Sequence, residues 1–363
     1  MLATVILLTL FLAFTNGAND VSKGIATLVG SGVSNYRLAV GWGTAWTVAG
    51  ALTAMIATQK LVAAFSGKGI LHNPIAAPSF AFAVACGAIG WLLIATRTGL
   101  PVSTTHALTG ALCGAGIAAG GFAGVAWKMV AAKVALPLAV SPLASLAIVL
   151  LIYPLARRTL AKRNEPVCVC VTDEAVLSTD GALTARQSLA LEIGTTVECD
   201  RSGSTAIARA KPIDTAHWLT AGATSFFRGM NDTPKILAVG VAAASAGGLA
   251  TKPLYALVAL AMGAGSLLWG FRVTETLARK VTTIEPGDGF AANCVTSVLV
   301  GLASFYALPV STTQVSSGAI LGIGVAKGGG DVRWKTLSEM LLAWIVTLPV
   351  AALIGALVFR VVT

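Results

Sequence analysis

Two short polar motifs occur twice in this 363-residue chain, in the same order and at nearly the same separation. The first, here called the Asn-Asp motif, ends in a lysine, and its two copies contain Asn19, Asp20 and Lys23 and then Asn231, Asp232 and Lys235. The second, the Ser-Thr-Thr motif, reads Pro-Val-Ser-Thr-Thr and begins at Pro101 and again at Pro309. Ionisable side chains within apolar sequence are costly in a membrane and usually functional. Two halves with matching polar motifs are the pattern of secondary transporters.

The Asn-Asp motifs could bind a small cation. We predict that the first helix breaks at residues 16–19 and resumes near Val21, because residues 1–15 alone are too short to span a bilayer. A break would free backbone carbonyls, which is tolerated only where they line a cavity or bind a ligand. Together with the side chains they form a set of hard oxygen ligands, and the predicted cation-coupling residues are Asn19, Asp20, Asn231 and Asp232. The alternative is that these side chains only cap helices on a surface loop.

The Ser-Thr-Thr motifs could bind a tetrahedral oxyanion. Proline suits the first turn of a helix, so the hydroxyls that follow it lie at a helix N-terminus beside free backbone amides. The predicted anion-binding residues are Ser103, Thr104, Thr105, Ser311, Thr312 and Thr313. The alternative is simple helix capping with close packing, which the following Gly110 and Gly114 would permit. Two such clusters in inverted halves would converge at the middle of the membrane.

The composition is that of a membrane protein, since 56% of the residues are hydrophobic and 11% are charged, against about 25% charged in soluble domains. A crossing needs roughly 20 apolar residues. Ten such runs occur, at residues 1–33, 38–58, 78–97, 101–120, 129–153, 214–248, 253–271, 290–308, 309–326 and 336–361. Five crossings in each half is an odd number, so the second half enters from the opposite side. The sequence therefore predicts an all-α polytopic fold of two inverted-topology repeats, with broken or re-entrant helices at the midplane.

The charge distribution predicts the topology. The chain divides into a first repeat at 1–154, a polar insert at 155–212 and a second repeat at 213–363. The net charge of +10 is read as a topology signal rather than a nucleic-acid surface, because most Lys and Arg fall on one side if the N-terminus is outside. Three basic residues stand apart from this distribution and flank the Asn-Asp motifs: Lys23, Arg228 and Lys235. We predict a multi-pass cell-membrane protein with both termini outside and a cytoplasmic insert.

The insert is predicted to contain some strand and no catalytic domain. Its residues 166–171 and 189–193 alternate or are β-branched, which favours strands. Cys168, Cys170 and Cys199 match no standard zinc spacing, and their role stays open.

The chain resembles the PiT family of inorganic phosphate transporters. The resemblance rests on Gly-Ala-Asn-Asp-Val at 17–21, on both Ser-Thr-Thr motifs, and on residues 274–277 and 284–290. It implies a secondary active transporter that imports phosphate by cation symport, with phosphate on the Ser-Thr-Thr residues and Na⁺ or a proton coupled through the Asn-Asp residues. It implies no enzyme activity and no cofactor, with Na⁺ as a candidate coupling ion. The expected partners are inorganic phosphate and the lipid bilayer, with a homodimer left open and no nucleic acid.

The chain departs from this family after each Asn-Asp pair, where a lysine replaces an amide or small residue. On a helix, Lys23 and Lys235 share a face with the aspartate three residues before them, so each could balance that charge in place of sodium. The alternatives are that the lysines contact the anion directly or that both snorkel to the membrane interface. Glu275 is a further candidate for charge balance, or a surface partner of Arg272 or Arg279.

Two other functions stay open. A sulfate permease on the same scaffold is one, although an acceptor carboxylate such as Asp20 or Asp232 favours phosphate, which can still donate a proton. An anion channel is the other, although acidic residues at the midplane repel anions. A membrane phosphotransferase would need a nucleophile and a base, which the motifs do not supply.

Overall fold

The computed structural model describes residues 1–66, 69–73, 75–161, 167–177, 183–195, 205–246 and 250–363. The helices before the insert are α1 (Leu2–Asp20), α2 (Ser22–Gly30), α3 (Tyr36–Ala57), α4 (Gln59–Phe65), α5 (Pro78–Thr98), α6 (Thr104–Gly120), α7 (Trp127–Val130) and α8 (Leu136–Ala161). A 3₁₀ turn (Phe122–Gly124) precedes α7, and a π-helical segment (Ala131–Ala135) joins α7 to α8. The helices after the insert are α9 (Pro212–Ala246), α10 (Thr251–Trp269), α11 (Phe271–Arg279), α12 (Pro286–Phe305), α13 (Thr312–Ala326) and α14 (Trp334–Val362).

Seven helical stretches in the described part of the chain are long and apolar enough to cross a membrane. They are Leu2–Gly30, Tyr36–Ala57, Pro78–Thr98, Trp127–Leu155, Thr251–Trp269, Pro286–Phe305 and Trp334–Val362. The prediction of ten spans is therefore too high by this measure. The helices α6 and α13 contain 17 and 15 residues, short of the roughly 20 that a crossing needs. The long helix α9 carries Arg228, Asp232 and Lys235 within about two turns.

The predicted break in the first helix is wrong. Helix α1 continues through residues 16–19 to Asp20, and only Val21 separates it from α2. Val21 keeps right-handed helical angles, and its N–H donates to the Gly17 carbonyl at 3.1 Å. The side chains of Asn16 and Asn19 hydrogen-bond to other helices, so they do not compete for the local backbone. In the second half, α9 likewise runs through its Asn-Asp motif, with Pro234 inside the helix.

The chain leaves helical structure at the Ser-Thr-Thr motifs instead. Residues 100–103 are non-helical before α6, and residues 308–311 are non-helical before α13. Both prolines therefore precede the helix rather than occupying its first turn. Thr104 and Thr312 each begin a helix whose N-terminal residues are buried, so two helix N-termini lie inside the protein.

The two halves interleave, and this brings the Asn-Asp motifs together. Helix α1 packs closely on α10 of the other half, where a Cβ added to Gly17 would lie 2.0 Å from the Met262 carbonyl oxygen. In the same way α9 packs on α3, where a Cβ on Gly229 would lie 2.2 Å from the Thr47 carbonyl oxygen. The helix that carries each Asn-Asp motif therefore packs against a helix of the opposite half. These two partner helices, α10 for α1 and α3 for α9, occupy corresponding places in the two halves.

Close packing also holds the Ser-Thr-Thr helices. A Cβ on Gly114 of α6 would lie 1.9 Å from the Ala352 carbonyl oxygen of α14. A Cβ on Gly318 of α13 would lie 2.4 Å from the Pro142 carbonyl oxygen of α8. The glycines after the first Ser-Thr-Thr motif, which could permit close packing, do pack closely, and the second motif does the same at Gly318. The matching pairs again join opposite halves. That the halves are inverted in the membrane stays a prediction.

The insert forms a three-stranded antiparallel sheet in the order β2-β1-β3. Its strands are β1 (Val167–Leu177), β2 (Leu183–Thr195) and β3 (Thr205–Ala210). The first predicted strand, 166–171, coincides with β1 from Val167, and the second, 189–193, lies within β2. Pro166 and Cys199 lie outside the described residues. Helix α8 continues to Ala161 before the sheet begins.

Candidate functional site

The two Asn-Asp motifs meet at one buried group of charged and amide side chains. We call this group the central cluster, and its members are Asn16, Asn19, Asp20, Lys23, Arg228, Asn231, Asp232 and Lys235. Each of them is at most 2% exposed. The Asn16 amide joins the two halves, because it donates to Asp20 Oδ2 at 2.9 Å and to Asp232 Oδ2 at 3.3 Å. It also donates to Thr104 Oγ1 at 2.9 Å, which connects the cluster to a Ser-Thr-Thr motif.

Lys23 is bonded entirely within its own motif. Its ammonium lies 2.6 Å from Asp20 Oδ1, 2.9 Å from Asn19 Oδ1 and 2.7 Å from the Asn19 carbonyl oxygen. Three acceptors match the three donors of an ammonium group. These oxygens include the ligands predicted for a coupling cation, and here they surround a lysine nitrogen.

Lys235 makes a wider set of contacts. Its ammonium lies 3.1 Å from Asp232 Oδ1 and also contacts Asn231 Oδ1. It reaches Thr105 Oγ1 and the Val310 carbonyl oxygen, both at 2.9 Å. This lysine therefore binds an Asn-Asp motif to the Ser-Thr-Thr motifs of both halves.

Two alternative interpretations of the charged residues do not fit this geometry. Lys23 and Lys235 are buried in the cluster and do not snorkel to an interface. Asp20 accepts hydrogen bonds from the side chains of Lys23, Asn16 and Thr104, so it is not a surface helix cap.

The two Ser-Thr-Thr motifs face each other through reciprocal hydrogen bonds. Thr105 Oγ1 of the first donates to the Val310 carbonyl oxygen at 3.2 Å, and Thr313 Oγ1 of the second donates to the Val102 carbonyl oxygen at 2.8 Å. Ser103 is the N-cap of α6, and Ser311 is the N-cap of α13. All six predicted anion-binding residues are at most 4% exposed. The six hydroxyls of the two helix N-termini, three from each, are thus not spread over two surfaces but gathered in one buried region.

The asparagines beside the carboxylates are held in corresponding ways. Asn19 Nδ2 donates to Thr96 Oγ1 of α5 at 3.2 Å and to the Leu100 carbonyl oxygen at 3.1 Å. Asn231 Nδ2 donates to Ser304 Oγ of α12 at 2.9 Å. These bonds leave the amide oxygens of both asparagines directed to the lysines.

Arg228 belongs to the cluster and was not among the predicted site residues. It occupies the position in the second motif that Asn16 occupies in the first. It is fully buried, with Nη2 2.6 Å from Thr47 Oγ1 and Nη1 3.4 Å from Asn16 Oδ1. The signal that could have found it was present, since it is an arginine in apolar sequence. A comparison that looks for residues shared by the two copies does not select Arg228, because the first copy has Asn16 at that position.

Glu275 is not brought to the central cluster. It lies on α11, partly exposed, and lines a cavity of about 380 Å³ with Tyr36 and Arg279. Over the residues with described side chains, it forms no ion pair with Arg272 or Arg279.

A second group of charges joins the ends of three helices. Lys327, just after α13, lies 2.9 Å from Asp288 Oδ2 and 3.3 Å from Glu285 Oε1 at the start of α12. The Tyr153 hydroxyl of α8 donates to Asp288 Oδ1 at 2.6 Å. Partial burial alone would lower the pKa of Lys327, but the hydrogen bonds and charges of Asp288 and Glu285 outweigh it and raise that pKa. The ammonium is therefore positive at neutral pH and ties α12 to the end of α13.

Two of the cavities are lined by residues that neighbour the motifs. One, of about 450 Å³, is lined by Thr96, Arg97 and Trp269. The other, of about 400 Å³, is lined by Lys133 and Pro309 among others. Thr96 bonds to Asn19 and Pro309 is next to Val310, so each cavity ends near a different motif.

A buried polar centre between two copies of a helical unit is the pattern of a membrane transporter. The sequence agrees, since the model of the phosphate transporter family matches residues 16–355. The chain belongs to the phosphate transporter family. The resemblance noted in the motifs is thereby confirmed, as is the prediction of a transporter rather than an enzyme, and the protein is embedded in a membrane.

The relatives span several lineages. A probable low-affinity inorganic phosphate transporter of Mycobacterium bovis is 31% identical, over 100% of this chain and 78% of the relative. A protein of the same description from Rhizobium meliloti is 29% identical, over 99% and 96%. The chloroplastic inorganic phosphate transporter 2-1 of Arabidopsis thaliana is 28% identical, over 96% and 70%. A solved structure, a sodium-dependent phosphate transporter, shares the fold with a TM-score of 0.76, at 24% identity and over 99% and 98% of the two chains.

Proposed function

We propose that this protein imports inorganic phosphate as a secondary active transporter, by alternating access around the central cluster and the Ser-Thr-Thr motifs. Family membership and the phosphate-transporter names of the relatives support phosphate as the substrate. The observation that carries the proposal is the meeting of two buried helix N-termini, rich in hydroxyls, beside buried ammonium groups. Helix N-termini favour oxyanions, and a low dielectric strengthens the attraction of the cations.

Phosphate would bind to Ser103, Thr104, Thr105, Ser311, Thr312 and Thr313. In the present closed state, Thr105 and Thr313 donate to carbonyls of the opposite motif. Opening toward either side would separate the two motifs and release these hydroxyls for the substrate. The reciprocal bonds would then reform around or after the anion, which links binding to the change of access.

The proposed driving ion is the proton rather than sodium. Asn19, Asp20, Asn231 and Asp232 supply the oxygens that would coordinate a cation, but Lys23 and Lys235 occupy them. An ammonium and a carboxylate form a pair without net charge, so the balance that a sodium ion would supply is present in the chain itself. A sodium ion would have to displace a buried lysine to bind there.

Phosphate is favoured over sulfate, and transport over channel conduction. Asp20 Oδ2 lies 3.3 Å from Thr104 Oγ1, so a carboxylate borders the proposed anion site and can accept a proton that phosphate keeps and sulfate lacks. Because the cluster is at most 2% exposed, it is closed to both sides at once. A closed intermediate is typical of alternating access and is not required of a channel.

The orientation completes the proposal: both termini outside the cell membrane and the 155–212 insert in the cytoplasm. The basic residues Arg97 and Arg272, which line the 450 Å³ cavity, then lie on the cytoplasmic side with most other Lys and Arg. Labelling of single cysteines introduced at Ala3 and at Arg360, in a variant without the six native cysteines and from outside intact cells, tests this orientation.

The direct test is uptake of radiolabelled phosphate and sulfate by proteoliposomes under imposed sodium or proton gradients. We expect phosphate to accumulate with an inward proton gradient in sodium-free buffer, and sulfate to accumulate much less. Sulfate uptake in preference to phosphate would contradict the proposed substrate. Flux that never exceeds equilibrium under any gradient would contradict active transport.

A further inference from the structure

The formal charges of the central cluster do not cancel. Asp20 pairs with Lys23, and Asp232 pairs with Lys235, with nitrogen–oxygen distances of 2.6 and 3.1 Å. Arg228 makes no ion pair within 4.0 Å among the described side chains. Two carboxylates against three cations leave the buried cluster with one uncompensated positive charge, and Arg228 carries it.

The guanidinium is also short of hydrogen-bond acceptors. It has five N–H donors, and its protein partners are Thr47 Oγ1 and Asn16 Oδ1. Nε has no partner, and the side chain is 0% exposed. Buried donors without acceptors are costly, especially on a charged group. A ligand with several acceptor oxygens would satisfy them.

Arg228 is placed to reach the proposed anion site. It lies one helical turn before Asp232 on α9, so both face the same side. Its neighbour Asn16 donates to Thr104 Oγ1 at 2.9 Å, so one amide separates the guanidinium from the first Ser-Thr-Thr motif. The planar fork of a guanidinium matches two oxygens of a tetrahedral oxyanion.

We propose that Arg228 binds the transported oxyanion and sets its valence, so that the site selects the monovalent form of phosphate. The inference rests on the proposed phosphate transport and adds the residue that specifies the charge state of the substrate. With dihydrogen phosphate bound, the buried site is neutral. With sulfate, a dianion at neutral pH, the site would hold a net negative charge away from water, which is unfavourable.

The charged and titratable groups around Arg228 define the controls. The carboxylates whose charges act on it are those of Asp20 on α1 and Asp232 on its own helix. Lys23 of α2 and Lys235 of α9 complete the cluster. Thr47, its contact on α3, does not titrate.

Two largely buried histidines lie near the cluster, and the experiment must separate any effect of their protonation from that of the substrate. His106 follows the first Ser-Thr-Thr motif and lies close enough to Lys235 to feel its charge. His217 lies earlier on α9, where Nε2 is 3.0 Å from Thr27 Oγ1. The variant His106→Gln installs the residue that the second half has at the equivalent position, Gln314, and so removes one titrating group with little change of shape.

The experiment is equilibrium binding of radiolabelled phosphate to the purified full-length protein across neutral pH, with unlabelled sulfate as competitor. The variants are Arg228→Gln and Arg228→Lys, with Arg37→Gln as a control that removes one exposed positive charge. We expect the apparent affinity of the wild type for total phosphate to follow the fraction of phosphate that is monoanion as pH changes. His106→Gln should show the same dependence. Sulfate should compete poorly. Arg228→Gln should weaken phosphate binding by about 10- to 100-fold. Arg228→Lys should bind more weakly than wild type but keep its pH profile, because the charge remains while the fork is lost.

Each other outcome is decisive. Arg228→Gln binding phosphate as tightly as Arg37→Gln would overturn the role of Arg228 while leaving phosphate transport intact. Affinity that follows the dianion, or sulfate that displaces phosphate as well as phosphate itself does, would overturn the valence preference. If Arg228→Gln does not fold, the pH profile of wild type and of Arg228→Lys still decides. A folded wild type that binds neither oxyanion would instead refute the proposed function.

Discussion

In the first Asn-Asp motif, position 16 holds an asparagine whose amide bridges both carboxylates of the cluster. At the equivalent position of the second motif, Arg228 brings a fixed positive charge with unused donors. Asn16 therefore organises the two halves, whereas Arg228 changes the net charge of the site. Duplicated sequence gives each half the same scaffold, and a single difference between the copies makes the combined site asymmetric.

The lysines extend this contrast. Lys23 is bonded only to residues of its own motif. Lys235 also binds Thr105 and the Val310 carbonyl oxygen. The first pair is thus self-contained, while the second reaches the residues that we propose bind phosphate. Movement of the Ser-Thr-Thr motifs should therefore disturb the Lys235 pair more than the Lys23 pair.

The largest effect on uptake is expected when the equivalent threonine of each half is replaced. Replacing Thr104 and Thr312 by alanine together removes a hydroxyl from each helix N-terminus and should abolish phosphate uptake while protein remains in the membrane. Thr53→Ala with Thr98→Ala is the matched control, because these threonines bond only to backbone of their own helices. Uptake near the wild-type rate in the Thr104 and Thr312 double variant would remove the hydroxyl clusters from the mechanism.

Replacing the two carboxylates one at a time should affect stability and uptake to different extents. Asp20→Asn leaves the Lys23 ammonium with only neutral acceptors and also alters the bonds to Asn16 and Thr104. Leaving a buried charge unpaired costs about 3–5 kcal/mol. Lys235 in Asp232→Asn keeps Thr105 and the Val310 carbonyl as additional acceptors. We therefore expect Asp20→Asn to reduce thermal stability and initial uptake more than Asp232→Asn does, and the reverse order would show that the Lys23 pair is not the self-contained one.

The smallest effect on uptake is expected from replacing the proline inside α9. Pro234 has no N–H for the Met230 carbonyl, which a hydroxyl of Thr58 approaches at 3.5 Å instead. Pro234→Ser copies Ser22 of the first motif and should raise thermal stability, since an interior proline costs a helix up to about 3 kcal/mol. Uptake should stay near wild type. A large loss of uptake would mean that the proline, and not only the side-chain cluster, distinguishes the second half.

Much of this molecule could be predicted from repeated polar residues in apolar sequence. The helical membrane fold follows from composition, and the position of Ser103 and Ser311 at helix N-termini follows from their preference for N-caps. Once the halves are recognised as copies, we can predict that the two Asn-Asp motifs meet and that the two Ser-Thr-Thr motifs meet. None of these steps depends on knowing a tertiary contact.

The remainder depends on contacts between distant helices. Residues 16–19 look like a helix break, yet Asn16 bonds to Thr104 and Asn19 to Thr96, and the backbone stays helical. Arg228 was noted beside its motif but was not predicted as a site residue, because the first motif has Asn16 at that position. The polar helix α9 was counted as a simple span although its charges are buried against α1 and α3.

The central claim is that Lys23 and Lys235 take the place of coupling sodium ions, and one measurement tests it most directly. Initial phosphate uptake is measured in proteoliposomes with a proton gradient, in sodium-free and in sodium-containing buffer. Wild type is compared with Lys23→Asn plus Lys235→Asn, and with Lys252→Asn plus Lys335→Asn, which removes two exposed lysines. We predict uptake without sodium in wild type and in the exposed-lysine control, and sodium dependence only in the buried-lysine variant. Strict sodium dependence of the wild type would contradict the account.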